Sequence, residues 1–408
     1  MKNSIRGFYS GCVKSGNLGD DILFIIFLNI FSKVITSKYK KECKIIKKNL
    51  DWGKYDNWIG FCRIGVIGGG SVIHPEEISY TNGVRINNNI VKNRFAFGTG
   101  ITDTPKFRIP EKNRIDLIEG RTNNVDFPVN PLMKYNIEGV NLCNYGGLRG
   151  PLDVNIARSI NPKFNKEYIY DPGLIISGLV DIKKINSNVI GINLAEVSGD
   201  NRISKKSETH SDYNKRVYSV IYNFCCWAIQ NKYDLHFYSF GNGDSHIHQN
   251  IIERIRKKKK KGKIDFTCLN TSNLEEISKV LSTFKFCVSH RLHSNILVNS
   301  FFIPTICMGY NIKALNYMKS IECEDLFIPT NENFTLDNII KKVNLLENNF
   351  ILYEKKLEEH VQKSLGLYTT EFLKIVDSFG INQIEHIEIN YDILSNIYGI
   401  YEINIYNK

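Results

Sequence analysis

The segment Lys285–Pro304, KFCVSHRLHSNILVNSFFIP, places two imidazoles and one guanidinium within five residues, Ser289 to His293. An imidazole exchanges protons near neutral pH, its ordinary pKa being about 6.5. A guanidinium grips carboxylate or phosphate through paired N–H groups. Side by side, these residue types suit proton transfer next to an anion. Phe286, Cys287 and Val288 form a short apolar run of β character, and Ile296, Leu297, Val298, Phe301 and Phe302 return at helical spacing. The segment therefore predicts a strand, a tight polar turn and a helix. In an open parallel sheet such a turn lies at the carboxyl end of a strand, where ligands bind. It also lies against a helix N-terminus, whose free N–H groups attract anions. Arg291 and His293 can then face one crevice. The plainer alternative is a satisfied core histidine beside a surface arginine.

The surrounding elements must hold that turn in place. Strands are expected at Val189–Leu194, Leu235–Phe240, Ile264–Leu269, Lys285–Ser289 and Thr305–Met308. Helices are expected at Lys215–Gln230, His246–Arg256, Leu274–Phe284, His293–Phe301 and Ile312–Ile321. Strands alternating with helices of this length give a parallel, doubly wound sheet. The polar stretch Ile182–Asn188 reads as a linker. The domains expected are 1–181, 189–335 and a mostly helical C-terminal extension, 336–408.

The first half repeats a strand-then-glycine theme. Gly7–Val13 reads as a strand and Lys14–Gly19 as a loop, with Asp20 a candidate N-cap for a helix from Asp21 to about Ile35. Arg63–Ile67 is a strand ending in Gly68-Gly69-Gly70-Ser71, either a tight turn or bare backbone under a ligand. Arg94–Phe97 with Gly98 and Gly100 follows. In GGLRGPLD, Pro151 suits the first turn of a helix, which sets Arg149 at a strand–helix junction as a surface arginine or an anion clamp. Tyr168–Tyr170 reads as one more strand. Neither GxGxxG nor a P-loop GK[ST] is present.

With 408 residues, 42% hydrophobic and 23% charged, the chain has apolar material for two globular domains. Its ten cysteines form no CxxC pair, which disfavours a disulfide framework or zinc site and fits a reducing, cytoplasmic setting. The N-terminus has no apolar signal region, and Ile22–Phe31 is too short to span a bilayer, which needs about 20 residues. The formal charge of +11 points toward anionic partners. Arg254–Lys263, RIRKKKKKGK, is either a solvated helix end stopped at Gly262 or a contact for an anionic membrane surface. No aromatic interleaving or nucleic-acid motif accompanies it, so no nucleic-acid partner is expected.

GNLGDD (Gly16–Asp21), IGGGS (Ile67–Ser71), GLRGPLD (Gly147–Asp153), DPG (Asp171–Gly173), HRLHSNILV (His290–Val298) and PTICMGYNIK (Pro304–Lys313) occur in this order. The ordered set resembles the polysaccharide pyruvyl transferase family over roughly positions 10–320, above all through RLH, a following strand and GY-x-x-K. The chain departs from that pattern at Ser294, at Asp21 and at Asn311-Ile312. The resemblance implies an α/β fold of two doubly wound Rossmann-like domains facing a cleft, like that of the GT-B glycosyltransferases. It implies phosphoenolpyruvate as co-substrate, a sugar acceptor (hexose or N-acetylhexosamine, free, nucleotide-linked or lipid-linked), a ketal-linked pyruvate as product, and no further cofactor or metal. By position it implies catalytic roles for His293, Arg149 and Arg291. Lys313, His290, Ser289 and Tyr310 would lie on the donor side, and Asn17, Asp20, Gly69, Gly70 and Ser71 on the acceptor side. A nucleotide-sugar glycosyltransferase and a non-catalytic carbohydrate-binding relative are the alternatives.

Overall fold

The computed structural model describes residues 5–11, 18–39, 44–46, 62–75, 93–102, 107–197, 208–240, 242–258, 262–269, 273–380, 386–391 and 399–405. The chain divides into two compact units. The first comprises Met1–Asn113, Gly120–Pro172 and Lys363–Lys408, and the second Arg114–Glu119 and Gly173–Gln362. Both are α/β and Rossmann-like, as the alternation of strand and helix patterns predicts. No helix among the described residues is long and apolar enough to cross a membrane.

In the first unit, β1 (Ile5–Gly11), α1 (Leu18–Tyr39), β2 (Lys44–Ile46), β3 (Cys62–Ile67), β4 (Gly70–Ile73) and β5 (Asn93–Ile101) lead to α2 (Glu111–Ile118), which from Arg114 onward belongs to the second unit, and to α3 (Pro131–Asn141). Then come β6 (Tyr145–Leu148) and α4 (Pro151–Ile160). β1, β3 and β5 pair in parallel, and β4 continues the register of β3 along β5, with Ile67 beside Ala96 and Gly70 beside Thr99. β6 also pairs with β5 in parallel. α1 is apolar on nearly every face, so it is buried. Ile22, Phe27, Phe31 and Ile35 have no exposed surface. α1 begins at Leu18, so Asp20 lies within its first turn and is not the expected N-cap. Pro131 and Pro151 open α3 and α4 with φ already set for the helix. The strand expected at Tyr168–Tyr170 is only a bridge from Tyr168 to Leu148. Tyr170 takes φ 70°, and a 3-10 turn, Pro172–Gly178, follows.

The second unit holds β7 (Val189–Asn193), α5 (His210–Gln230), β8 (Asp234–Phe240), α6 (Ser245–Lys257), β9 (Ile264–Leu269) and α7 (Leu274–Leu281). It continues with β10 (Phe286–Ser289), α8 (Leu292–Asn299), β11 (Thr305–Gly309), α9 (Ile312–Ser320), β12 (Phe327–Pro329) and α10 (Leu336–Asn348). Every pairing is parallel and the strand order is β12-β11-β10-β7-β8-β9. Counted within the unit this is 3-2-1-4-5-6, the Rossmann order, whose direction reverses between β7 and β10. β10 and β11 are buried at every position, as strands covered by helices on both faces must be. Thr209, Asn273 and Asn311 cap α5, α7 and α9 with side-chain oxygens, and a Thr335–Asn338 capping box opens α10.

The segment 336–408, expected as a separate extension, is shared between the units. α10 and the start of α11 (Phe350–Ser378) belong to the second unit, and the chain from Lys363 belongs to the first. There β13 (His386–Tyr391) and β14 (Gly399–Ile405) form an antiparallel pair, and β14 runs antiparallel to β1. The first sheet is therefore mixed. Phe372 of α11 is fully buried and lies 5.0–6.0 Å, ring centre to ring centre, from Phe27, Phe31, Phe95 and Phe97. Phe372→Ala is expected to destabilise the protein by about 3–5 kcal/mol, read as a lower midpoint of denaturant unfolding. An unchanged midpoint would exclude the C-terminal part of α11 from that core.

Candidate functional site

At the switch point of the second unit, β7 ends in Asn193 and β10 in Ser289. Asn193 is buried and spans the gap: its Nδ2 donates to Tyr238 O at 2.9 Å, and its Oδ1 accepts from Arg291 N at 3.3 Å. Its carbonyl accepts from His290 N at 3.0 Å. The turn after β10 is thus pinned to the end of β7 by backbone and amide contacts. Ser289 Oγ lies 2.7 Å from Ser294 Oγ and 3.3 Å from Arg291 O, its one proton serving either contact, which tightens the turn into α8.

Arg291 is the N-cap residue of α8, with φ −79° and ψ 137°. Its Nε forms an ion pair with the buried carboxylate of Asp244, while 35% of the Arg291 side chain is exposed. Burial opposes the Arg291 charge, but the hydrogen bond and charge of Asp244 outweigh that and hold its pKa above the ordinary arginine value. No hydrogen bond from either Nη group to another described residue accompanies this pair. His293 is the second residue of α8 and is half-buried. After the neighbouring strand β11, Lys313 is the second residue of α9, also half-buried. β10 and β11 pair in parallel, so the N-termini of α8 and α9 share one edge of the sheet. That edge carries one guanidinium, one ammonium, one imidazole and two helix dipoles with their positive ends outward. Chemically it can hold a small polyanion and exchange a proton beside it.

His290 does something different. It is fully buried, its Nε2 is 3.1 Å from Tyr213 Oη, and its ring meets Tyr310 edge-on at 5.0 Å. Tyr213 Oη in turn lies 2.6 Å from Thr330 Oγ1, which donates to Gly309 O at 3.1 Å. Burial, then the nearby Arg291 charge, lowers the His290 pKa to about 4. His290 is therefore a neutral strut between β10, β11 and α5. The donor-binding role expected of it and of the buried Ser289 is not available to either side chain as placed. Tyr310 remains half-buried beside Arg291, and burial, eased by that charge, raises its phenol pKa.

Arg149 is likewise closed off, with 1% of its surface exposed. It belongs to the first unit, between Asp153 and Asp171, each 3.9 Å away, with Ser71 Oγ 3.5 Å from its Nη2. Asp153 also accepts from Ile101 N at 3.0 Å. A Cβ on Gly100 would stand 2.5 Å from the Arg149 Nη2, so only glycine leaves room for the guanidinium there. The expected anion clamp is a buried charge already flanked by two carboxylates, and it joins the ends of β4, β5 and β6. The Gly68–Gly70 run has a packing cause of its own. A Cβ at Gly68 would lie 2.5 Å from the Tyr9 ring, and one at Gly70, which takes φ +86°, would lie 2.5 Å from Asp20 Oδ1. Gly69 and Gly70 are buried; Asp20 and Ser71 keep partial exposure. Asn17 lies outside the described residues.

Two residues that sequence reasoning missed organise the edge: Asn193 and Asp244. Asn193 is a polar residue at the end of a predicted strand; the local signal for Asp244 is the loop expected ahead of the helix His246–Arg256. The basic run begins in the last turn of α6, where Arg254 lies over the Tyr222 ring at 4.3 Å and Lys258 at 5.3 Å. This is the opposite end of the helix from Asp244. Lys259–Lys261 lie outside the described residues.

No protein-family model matches the chain, and no curated protein matches it. Solved structures similar to it include a Staphylococcus aureus TarM variant in complex with fondaparinux, alpha-GlcNAc-glycerol and UDP. That match has 15% identity and a TM-score of 0.36, over 77% of this chain and 54% of that one. A second is the pneumococcal O-GlcNAc transferase GtfA in complex with UDP and GlcNAc, with 12% identity and a TM-score of 0.39, over 78% of this chain and 56% of that one. A third is a glycosyl transferase family 9 protein from Veillonella parvula, with 11% identity and a TM-score of 0.29, over 85% of this chain and 94% of that one. The chain spans about half the length of the first two (54% and 56%).

Proposed function

We propose that this chain is a sugar-modifying transferase that takes pyruvate from phosphoenolpyruvate and installs it on a sugar as a cyclic ketal, releasing phosphate. The observation that carries the reading is the sheet edge formed by Arg291, His293 and Lys313 at the switch point of the second unit. The ordered motifs that resemble the pyruvyl transferase family supply the reaction class. Phosphoenolpyruvate presents a carboxylate and a phosphate on one small vinyl group. The Nη groups of Arg291, whose side chain is partly exposed, take one anion in bidentate fashion. Lys313 serves the other as a point charge.

In the first step the His293 imidazolium gives a proton to the methylene carbon, and cationic character develops at the central carbon. A sugar hydroxyl adds there and loses its proton. The C–O bond to phosphate then breaks and phosphate leaves with the bonding pair. A second hydroxyl of the same sugar closes the ring and gives up its proton. Arg149 enters as framework, holding the strand ends of the first unit together. On that unit the partly exposed Asp20 and Ser71 stay on the acceptor side of this reading.

One observation favours a second reading. The strand order of the second unit is the one whose switch point commonly receives nucleotide phosphates, so a nucleotide-sugar donor would use the same edge. One assay separates the two. The purified chain is incubated with phosphoenolpyruvate, or with UDP-, GDP- or CMP-sugars, and a panel of hexose and N-acetylhexosamine acceptors. Phosphate release and the acceptor's mass are followed. Phosphate release with a pyruvyl mass gain is expected; turnover of a nucleotide sugar alone would overturn the proposal in favour of the second reading.

A further inference from the structure

We infer that Asp244 is a positioning residue that aims the Arg291 guanidinium at the donor; the donor's identity rests on the pyruvyl-transfer reading, but the aiming does not. Asp244 occupies the N-cap position of α6, yet its side chain makes no capping hydrogen bond to that helix. An aspartate there ordinarily accepts from its own helix's first turn. Here the carboxylate is turned away: Oδ1 accepts from Glu196 N at 3.1 Å, and Oδ2 takes Arg291 Nε. The Asp244 backbone is held as well. Its carbonyl accepts from His248 Nδ1 at 2.9 Å, while His248 Nε2 accepts from Leu194 N at 2.9 Å. Burial lowers the His248 pKa to about 4, so the ring stays neutral and able to both donate and accept.

Asp244 therefore joins three segments: the loop after β7, the start of α6 and the turn after β10. The consequence for Arg291 is geometric. A guanidinium offers either its side face, Nε with one Nη, or its end, the two Nη groups. With Nε taken by a buried carboxylate, only the end-on fork is left for a ligand. That fork is also held in one orientation before any ligand arrives, which lowers the ordering cost of binding.

The test compares the full chain with Asp244→Ala, Asp244→Asn, Arg291→Ala and the Asp244→Ala/Arg291→Ala double variant. Calorimetric titrations use phosphoenolpyruvate and UDP as probes, alongside steady-state phosphate release. Asp244→Ala is expected to weaken phosphoenolpyruvate binding and raise its KM by about tenfold to a hundredfold, as misplacement of a binding group does. Its kcat should stay within about threefold of wild type, because Asp244 does not touch the reacting atoms. Asp244→Asn keeps the shape and an acceptor oxygen, and it should recover most of the affinity. The loss should vanish in the Arg291→Ala background, since aiming an absent group does nothing. A merely structural Asp244 would give losses that add to those of Arg291→Ala, and that result overturns the inference, as would an Asp244→Ala chain of wild-type affinity. Should Asp244→Ala fail to fold, Asp244→Ser, which keeps a cap for α6 but withdraws the carboxylate from Arg291 Nε, takes its place, and losses that add to those of Arg291→Ala overturn the inference equally. Asp244-dependent binding of phosphoenolpyruvate without phosphate release upholds the inference and sinks pyruvyl transfer. A wild type that binds neither probe overturns the inference itself.

Discussion

His293→Ala is expected to lower kcat for ketal formation by about 10²- to 10⁴-fold, the usual contribution of a positioned proton donor, with KM for phosphoenolpyruvate little changed. Arg291→Ala should show the opposite division. A charge-assisted hydrogen bond contributes about 1.5–3 kcal/mol, so losing the fork raises KM by roughly tenfold to a hundredfold. The split follows from where the two residues stand. Arg291 is the N-cap residue of α8, with its guanidinium already formed into a pair with Asp244. It meets the donor in ground state and transition state alike. His293 lies two residues further on, in the first turn of the same helix, and its proton matters only as the carbon–hydrogen bond forms. Phosphate release measured over a range of phosphoenolpyruvate concentrations separates the two effects. Wild-type kcat in His293→Ala would remove the imidazole from the mechanism.

Acid should begin to weaken the second unit above the ordinary carboxylate range. Burial lowers the pKa of both His290 and His248 to about 4, against about 6.5 in an unfolded chain. The unfolded state therefore binds more protons between these values. The stabilisation is complete above about pH 6.5 and is lost as pH falls toward about 4. A gap of this size amounts to roughly 3 kcal/mol for each imidazole, a large share of a typical total of about 5–15 kcal/mol. The physical cause is visible in both environments. Protonated His248 would turn a second N–H toward Leu194 N, which is itself a donor. Protonated His290 would place a charge beside Arg291 with no solvent to share it. Urea unfolding at pH 7.5 and at pH 5, followed by circular dichroism, should show a clearly lower midpoint in acid. A His290→Phe chain should show a shallower dependence. Equal midpoints for wild type at the two pH values would contradict the placement of these rings.

Much of the second unit was legible from residue order because its two periodicities do not overlap. Phe286–Val288 is a short apolar run of β character before a polar turn, and the apolar residues after His293 return at helical spacing. The expected helix Ile312–Ile321 is Ile312–Ser320 in the structure. The first unit was harder to read. Its sheet is completed by β13 and β14, whose partner β1 stands at the other end of the chain. No local pattern announces a pairing of that range. α1 carries apolar residues on nearly every face, so a one-sided stripe does not fix its start, and the helix begins at Leu18, before the expected Asp21.

The candidate site divides in the same way. Arg291 and His293 are visible because their types and their strand–turn–helix setting coincide, and Lys313 enters through the GY-x-x-K segment of the family resemblance. The partners that give them roles were not. Asp244 precedes Arg291 by 47 positions, and nothing near it marks it as the guanidinium's counter-charge. Arg149 shows the converse. Its glycine-flanked junction looked like an anion clamp, but Asp153 and Asp171 already lie 3.9 Å from it. Asp153, one helical turn away, could be guessed from spacing; Asp171 could not. A charge seen in sequence is a candidate for substrate only until its buried neighbours are known.

The most direct measurement runs the reaction in heavy water with phosphoenolpyruvate and the best acceptor sugar, then reads the product by mass spectrometry and proton NMR. Proton delivery to the methylene carbon places a single solvent deuteron in the methyl group of a pyruvyl ketal, with equal release of phosphate. A sugar recovered unchanged beside intact phosphoenolpyruvate, or a ketal methyl free of deuterium, would contradict it.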